Sequence, residues 1–162
     1  MQNYVIFGIG GFISRENIRQ LAELLAKEGF APEGSKERSS DKNEKHILNA
    51  IKKGFNPRFY NDKAELNDFY ELDSLEVWLQ NNNIPYDRIV SEMCETHVFN
   101  YRPELKQTRN ITLDSDGEVI VYEHELFKWR DWLRTNDIQY VINEINALLE
   151  EPELPLVTNK LK

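Results

Sequence analysis

From Tyr86 to Tyr122 the chain carries strand-forming segments one after another, with no helical spacing between them. Strands that follow each other without a crossover pair most simply as antiparallel neighbours, because a parallel pair needs a connection of a dozen or more residues. The firmest element is Asn110-Ile-Thr-Leu, Asp114-Ser-Asp-Gly, Glu118-Val-Ile-Val-Tyr122. Two β-rich arms around an Asp-Gly turn predict a hairpin. Tyr86 to Tyr101 is the longest strand candidate. Read as one strand, it places Ile89, Ser91, Met93, Glu95, His97, Phe99 and Tyr101 on one side and Val90, Glu92, Cys94, Thr96 and Val98 on the other.

Helical spacing brackets this run on both sides. Tyr4-Val-Ile-Phe7 predicts a buried strand ending at Gly8. Ser14 then caps a helix whose Ile18, Leu21, Ala22, Leu24 and Leu25 recur at helical spacing, and Gly29 closes it. Residues 31–42 are polar and read as an exposed loop. A second helix is expected from about Asp41 to Lys53, with Ile47, Leu48 and Ile51 as its apolar stripe. Phe59-Tyr60 is open between strand and loop. Asp73 or Ser74 starts a short helix carrying Leu75, Trp78 and Leu79, which Pro85 prevents from resuming. Residues 123–134 read as a helix whose Leu126, Phe127, Trp129, Arg130 and Leu133 mix faces. Asp137 caps the last helix, with Ile138, Val141, Ile142, Ile145 and Leu148 in phase. This order predicts an α+β fold: a mainly antiparallel sheet, a βα unit at the N-terminus, helices packed on one face, and two C-terminal helices. At 162 residues a single globular domain is expected over 1–150. Pro152 and Pro155 end the last helix, so 151–162 is expected to be a loose tail.

Composition narrows the function classes. A single cysteine excludes an internal disulfide and a multi-cysteine zinc cluster. No apolar run approaches the ~20 residues of a membrane helix, and the N-terminus lacks a basic region before its apolar stretch, so a cytoplasmic protein is expected. The net charge is −8, and residues 57–100 alone carry 3 Lys or Arg against 9 Asp or Glu. That balance opposes wide phosphate-backbone binding, although a basic stretch (Lys36, Arg38, Lys42, Lys45, Lys52, Lys53 and Arg58) precedes the acidic block.

The chemical motifs are fragments. Gly8 and Gly10 follow a strand as in a dinucleotide fingerprint, but Ile13 stands where the third glycine belongs, so a tight turn is expected. Asp114, Asp116, Gly117 and Glu123 have the spacing of a calcium loop, yet Thr112 occupies its leading carboxylate position and no helix enters it. Cys94, His97 and His124 form the transition-metal or thiol set. On one strand, Cys94 and His97 would face opposite ways, so no metal and no cofactor is expected. Trp129 and Trp132 would be neighbours on a helix, for core packing or as interface anchors.

The stretch Phe69-Tyr-Glu-Leu-Asp-Ser-Leu-Glu-Val-Trp-Leu-Gln-Asn-Asn-Asn-Ile-Pro-Tyr-Asp-Arg88, followed by Arg102-Pro103 and Asp116-Gly117-Glu118, resembles small phage- and plasmid-encoded proteins over about residues 69–120. The resemblance implies a mobile-element origin and carries over no catalytic residue. The leading expectation is a non-enzymatic accessory protein that binds another protein through an acidic surface of Asp62, Glu65, Asp68, Glu71, Asp73 and Glu76. Such a surface could inhibit a host nucleic-acid-binding factor by occupying its basic channel. Two alternatives stand beside it: a small enzyme with a carboxylate/histidine site near Glu92, Glu95 and His97, and a nucleic-acid binder using residues 36–58.

Overall fold

The computed structural model describes residues 4–62, 72–92, 94–105, 107–135 and 137–159. In chain order the elements are β1 (Tyr4–Ile9), α1 (Arg15–Lys27), β2 (Ala31–Pro32), α2 (Ser40–Lys53), β3 (Arg58–Asn61), α3 (Asp73–Asn81), β4 (Tyr86–Ser91), β5 (Thr96–Arg102), β6 (Gln107–Leu113), β7 (Val119–Ile120), α4 (Glu123–Arg134) and α5 (Ile138–Leu149). The strands form one antiparallel sheet in the order β2-β3-β1-β4-β5-β6-β7. The fold is α+β, with the expected βα unit at one end and two helices at the other.

Local chemistry accounts for most boundaries. The Ser14 hydroxyl accepts from the Asn17 amide and starts α1. Ser39, rather than a residue near Asp41, caps α2 by accepting from Lys42. Gly54, at φ 72°, ends α2 in the left-handed conformation that a side chain would strain. Phe59-Tyr60 is a strand. Within the polar segment after α1, Ala31 and Pro32 are buried and add a short edge strand to β3. Proline is tolerated at an edge because its missing N–H there faces no partner strand.

Strand alternation separates two faces. Val5, Phe7 and Ile9 of β1, with Phe59, Tyr86 and Val90, point to the side covered by α1, α2 and α3. There Ile18, Leu21, Leu25, Ile47, Leu75 and Leu79 complete the main core. On the opposite side, Gly8, Asp87, Asn100 and Arg109 stand in one row across β1, β4, β5 and β6. Arg109 reaches from this row to the C-terminal end of α5. Its Nε and Nη2 donate to the carbonyls of Ala147 and Leu148 at 2.9 and 2.8 Å, where a cation also offsets the helix dipole.

Two expectations are corrected. Tyr86 to Tyr101 is not one strand: the chain folds back between β4 and β5, with the Glu92 amide donating to the Glu95 carbonyl at 2.9 Å. Residues 151–159 are not a loose tail. Val157 is buried, the Gly11 amide donates to the Pro155 carbonyl, and the Thr158 amide donates to the Gly11 carbonyl. The Asn56 side chain clasps the same segment, donating to the Leu154 carbonyl at 3.0 Å and accepting from the Val157 amide at 2.9 Å. Arg102, 1% exposed, holds the near end. Its Nε donates to the Glu153 carbonyl, and its Nη2 donates to the Pro152 carbonyl and to Asp87 Oδ1. Its Nη1 donates to the carbonyls of Tyr86 and Tyr101. No helix among the described residues is long and apolar enough to cross a membrane.

Candidate functional site

The glycine turn serves the terminal strap. A methyl group on Gly10 would overlap the Pro155 carbonyl oxygen and lie 2.9 Å from Leu154 Cγ. The amides of Ile9, Gly10 and Gly11 donate to the carbonyls of Pro57, Pro85 and Pro155. An anion at this turn would therefore compete with main-chain bonds already made. In the β6–β7 hairpin, Asp114 Oδ1 accepts from the amides of Asp116 and Glu118, both at 2.9 Å. That ring of bonds accounts for the Asp-Gly pattern as a turn.

The metal and enzyme candidates are dispersed. Cys94 is exposed in the β4–β5 turn between Glu92 and Glu95. His97, on β5, has Nδ1 3.1 Å from the Thr112 hydroxyl and Nε2 3.8 Å from Glu95. His124 lies on α4 and stacks on Tyr122. Among the described residues, no three His, Cys, Asp or Glu side chains are grouped to hold a metal ion. Because the chain folds back, Glu92 and Glu95 occupy a turn instead of lying on opposite sides of one long strand.

The acidic surface is divided. Asp62 accepts from Arg38, Asp73 begins α3, and Glu65, Asp68 and Glu71 lie outside the described residues. Glu76 is not on a surface: it is 5% exposed. Its Oε2 accepts from Arg88 Nη1 at 2.5 Å and from the Leu72 amide at 2.8 Å. Its Oε1 accepts from the Tyr86 hydroxyl at 2.8 Å, and Tyr86 in turn accepts from Gln80. Burial, followed by the Glu76 charge, pushes the Tyr86 phenol above its ordinary range, so it stays a neutral donor. The signal was in the helix spacing. Glu76 falls within the Leu72, Leu75 and Leu79 stripe, and Arg88 alternates with Tyr86 and Val90 on the core side of β4. This triad fits a structural ion pair enclosed by the core.

The basic stretch borders a cavity of about 480 Å³ at the β2–β3 edge, lined by Ala31, Ser35, Lys36, Arg38, Tyr60 and Asp62. Three of its cations are matched locally. Arg38 pairs with Asp62, Lys42 with Glu37, and Arg58 with Glu33. Such pairs lower the cationic field that a polyanion would meet at this edge. On the core side of the same edge, His46 packs against Phe55 and Phe59. Burial lowers its pKa, while a hydrogen bond with the Arg58 backbone acts the other way.

The α4–α5 pair is the feature the sequence left unresolved. α4 buries none of its residues and α5 buries only Val141. Large apolar side chains instead face water: Leu126 (50%), Leu133, Ile138, Ile142 and Leu149 (69%), with Phe127 beside them. The inner contacts are aromatic. Trp132 meets Tyr140 edge to face, and Lys128 lies 4.5 Å above the Trp132 ring. Scattered exposed leucines are ordinary, but a helical hairpin with this many on two adjacent elements has the character of an interaction surface.

No protein-family model, curated protein or solved structure matches this chain.

Proposed function

We propose that this chain acts as a non-enzymatic accessory protein that binds another protein, and that its contact surface is the outer side of the α4–α5 hairpin rather than the acidic residues. One observation carries the reading: α4 is an amphipathic helix of 12 residues with none of them buried. In globular proteins most helix stability comes from packing an apolar face, so an unburied face on a formed helix calls for a partner. The acidic surface offers less support, since Glu76 is buried against Arg88 and Asp62 is engaged by Arg38.

The two surfaces predict opposite salt behaviour. Ion pairing to an acidic face weakens as salt screens it, whereas apolar docking persists. The test compares capture from native lysate by the wild-type chain and by Leu126→Asp with Leu133→Asp. Capture that survives high salt and is lost in this variant supports the hairpin. Capture that is released by salt and untouched by the variant returns the role to the acidic residues.

A further inference from the structure

Resting on the reading of α4–α5 as a docking surface, we propose that the occupant of the exposed α5 stripe is a second copy of the same chain, paired antiparallel about a two-fold axis. The exposed stripe of α5 is Ile138, Ile142, Ile145 and Leu149, with Ile145 half-buried and the others open. Its spacing of four, three and four residues is that of a coiled-coil seam. The same spacing read backwards is unchanged. An antiparallel copy therefore sets Ile138 opposite the second copy's Leu149 and Ile142 opposite its Ile145, with every seam residue meeting another. A two-fold interface requires this kind of self-complementarity.

Charge selects the occupant further. Nearly a third of the chain is charged, yet the open edge beside the seam carries Gln139 and Asn146, both exposed and neutral. The one charged residue within α5, Glu144, is off the seam and partly buried. A neutral face pairs with its own copy without like-charge repulsion, even in a molecule of net charge −8. In the antiparallel register each Gln139 lies beside the second copy's Asn146.

Area sets the strength. With side-chain areas on the order of 200 Å², the exposed fractions of Ile138, Ile142 and Leu149 leave roughly 350 Å² of seam per copy, against about 800 Å² in a standard interface. The pairing is consequently of the weak, concentration-dependent class.

Sedimentation equilibrium of the full chain, over about 1 to 200 μM so that mass action spans both states, tests this directly. Three variants keep the result interpretable, each first shown to retain the wild-type circular dichroism and melting temperature. Ile142→Asp is expected to abolish dimers over that range. Gln139→Glu with Asn146→Glu places like charges together at both ends of the seam and raises the dissociation constant severalfold. Gln139→Lys with Asn146→Glu places opposite charges together and leaves the dimer at least as tight as wild type. Both double substitutions are on the exposed edge and seven residues apart, so a purely structural effect would not separate them. A monomeric wild type across the range overturns the self-pairing, while hairpin-dependent capture of another protein would still uphold the docking reading. A dimer indifferent to all three variants overturns the self-pairing through α5, because the two copies then meet on another surface.

Discussion

Replacing Arg102 by Met should release the C-terminal strap. The substitution keeps an unbranched stem of similar reach and removes the guanidinium. In the native fold all five N–H donors of that group are used: Nε on the Glu153 carbonyl, Nη1 on Tyr86 and Tyr101, and Nη2 on Pro152 and Asp87. A hydrogen bond to a charged group contributes about 1.5–3 kcal/mol, but five bonds from one planar fork are far from additive. Asp87 also keeps a second donor, Asn100 Nδ2 at 2.7 Å, so its carboxylate is not left bare. The working figure is therefore that for removing one partner of a buried pair, about 3–5 kcal/mol. For a domain of this size it corresponds to a fall in Tm of roughly 10–15 °C. Urea unfolding measures the total, and amide hydrogen exchange locates it. Protection should drop first at Gly11, Ile13 and Thr158, whose amides bond across the strap junction, and much less at β1–β4 pairs such as Phe7. A loss below about 1 kcal/mol, or unchanged exchange at Gly11 and Thr158, would refute the argument that Arg102 fastens the strap.

Two other outcomes follow from the core. Glu76→Gln leaves Arg88 buried without its counter-charge and should cost about 3–5 kcal/mol, whereas Glu76→Leu combined with Arg88→Met should cost far less, because both charges leave together; urea unfolding of the two variants reads the difference. Burial holds the His46 pKa below its unfolded value of 6.5, so the unfolded chain takes up the proton first. His46 therefore lets the fold keep its full stability above about pH 6.5 and lose part of it as the pH falls through that value and below. His46→Phe should flatten this part of the stability–pH curve, and an unaltered slope between about pH 5 and 7 would show that other groups set it.

The sequence by itself determined the elements whose signals are local. Ser14 with the spacing of Ile18, Leu21, Ala22 and Leu25 specifies α1, Asp114 and Gly117 specify the β6–β7 turn, and Asp137 starts α5, its carboxylate accepting from the Tyr140 amide. Strands grouped without crossovers already imply an antiparallel sheet. Tertiary structure decided what depends on distant partners. The fold-back at 92–95 contains no Gly, Pro or Asn, so no local propensity marks it; it is set by the pairing of β4 with both β1 and β5. Pro152 and Pro155 read as a chain end that cannot continue a helix, yet that segment is held by Asn56 and Arg102, which lie about 100 and 50 residues away in sequence. Glu76 reads as surface charge until Arg88 is placed against it. The same holds for the candidate site. Spacing shows that residues 123–134 and 138–149 form helices, the first with mixed faces and the second with an apolar stripe in phase, but whether apolar side chains meet the sheet or the solvent is settled only by where the rest of the chain is packed. Arg109 anchors α5 by its C-terminal carbonyls, and the stripe from Ile138 to Leu149 is left facing water.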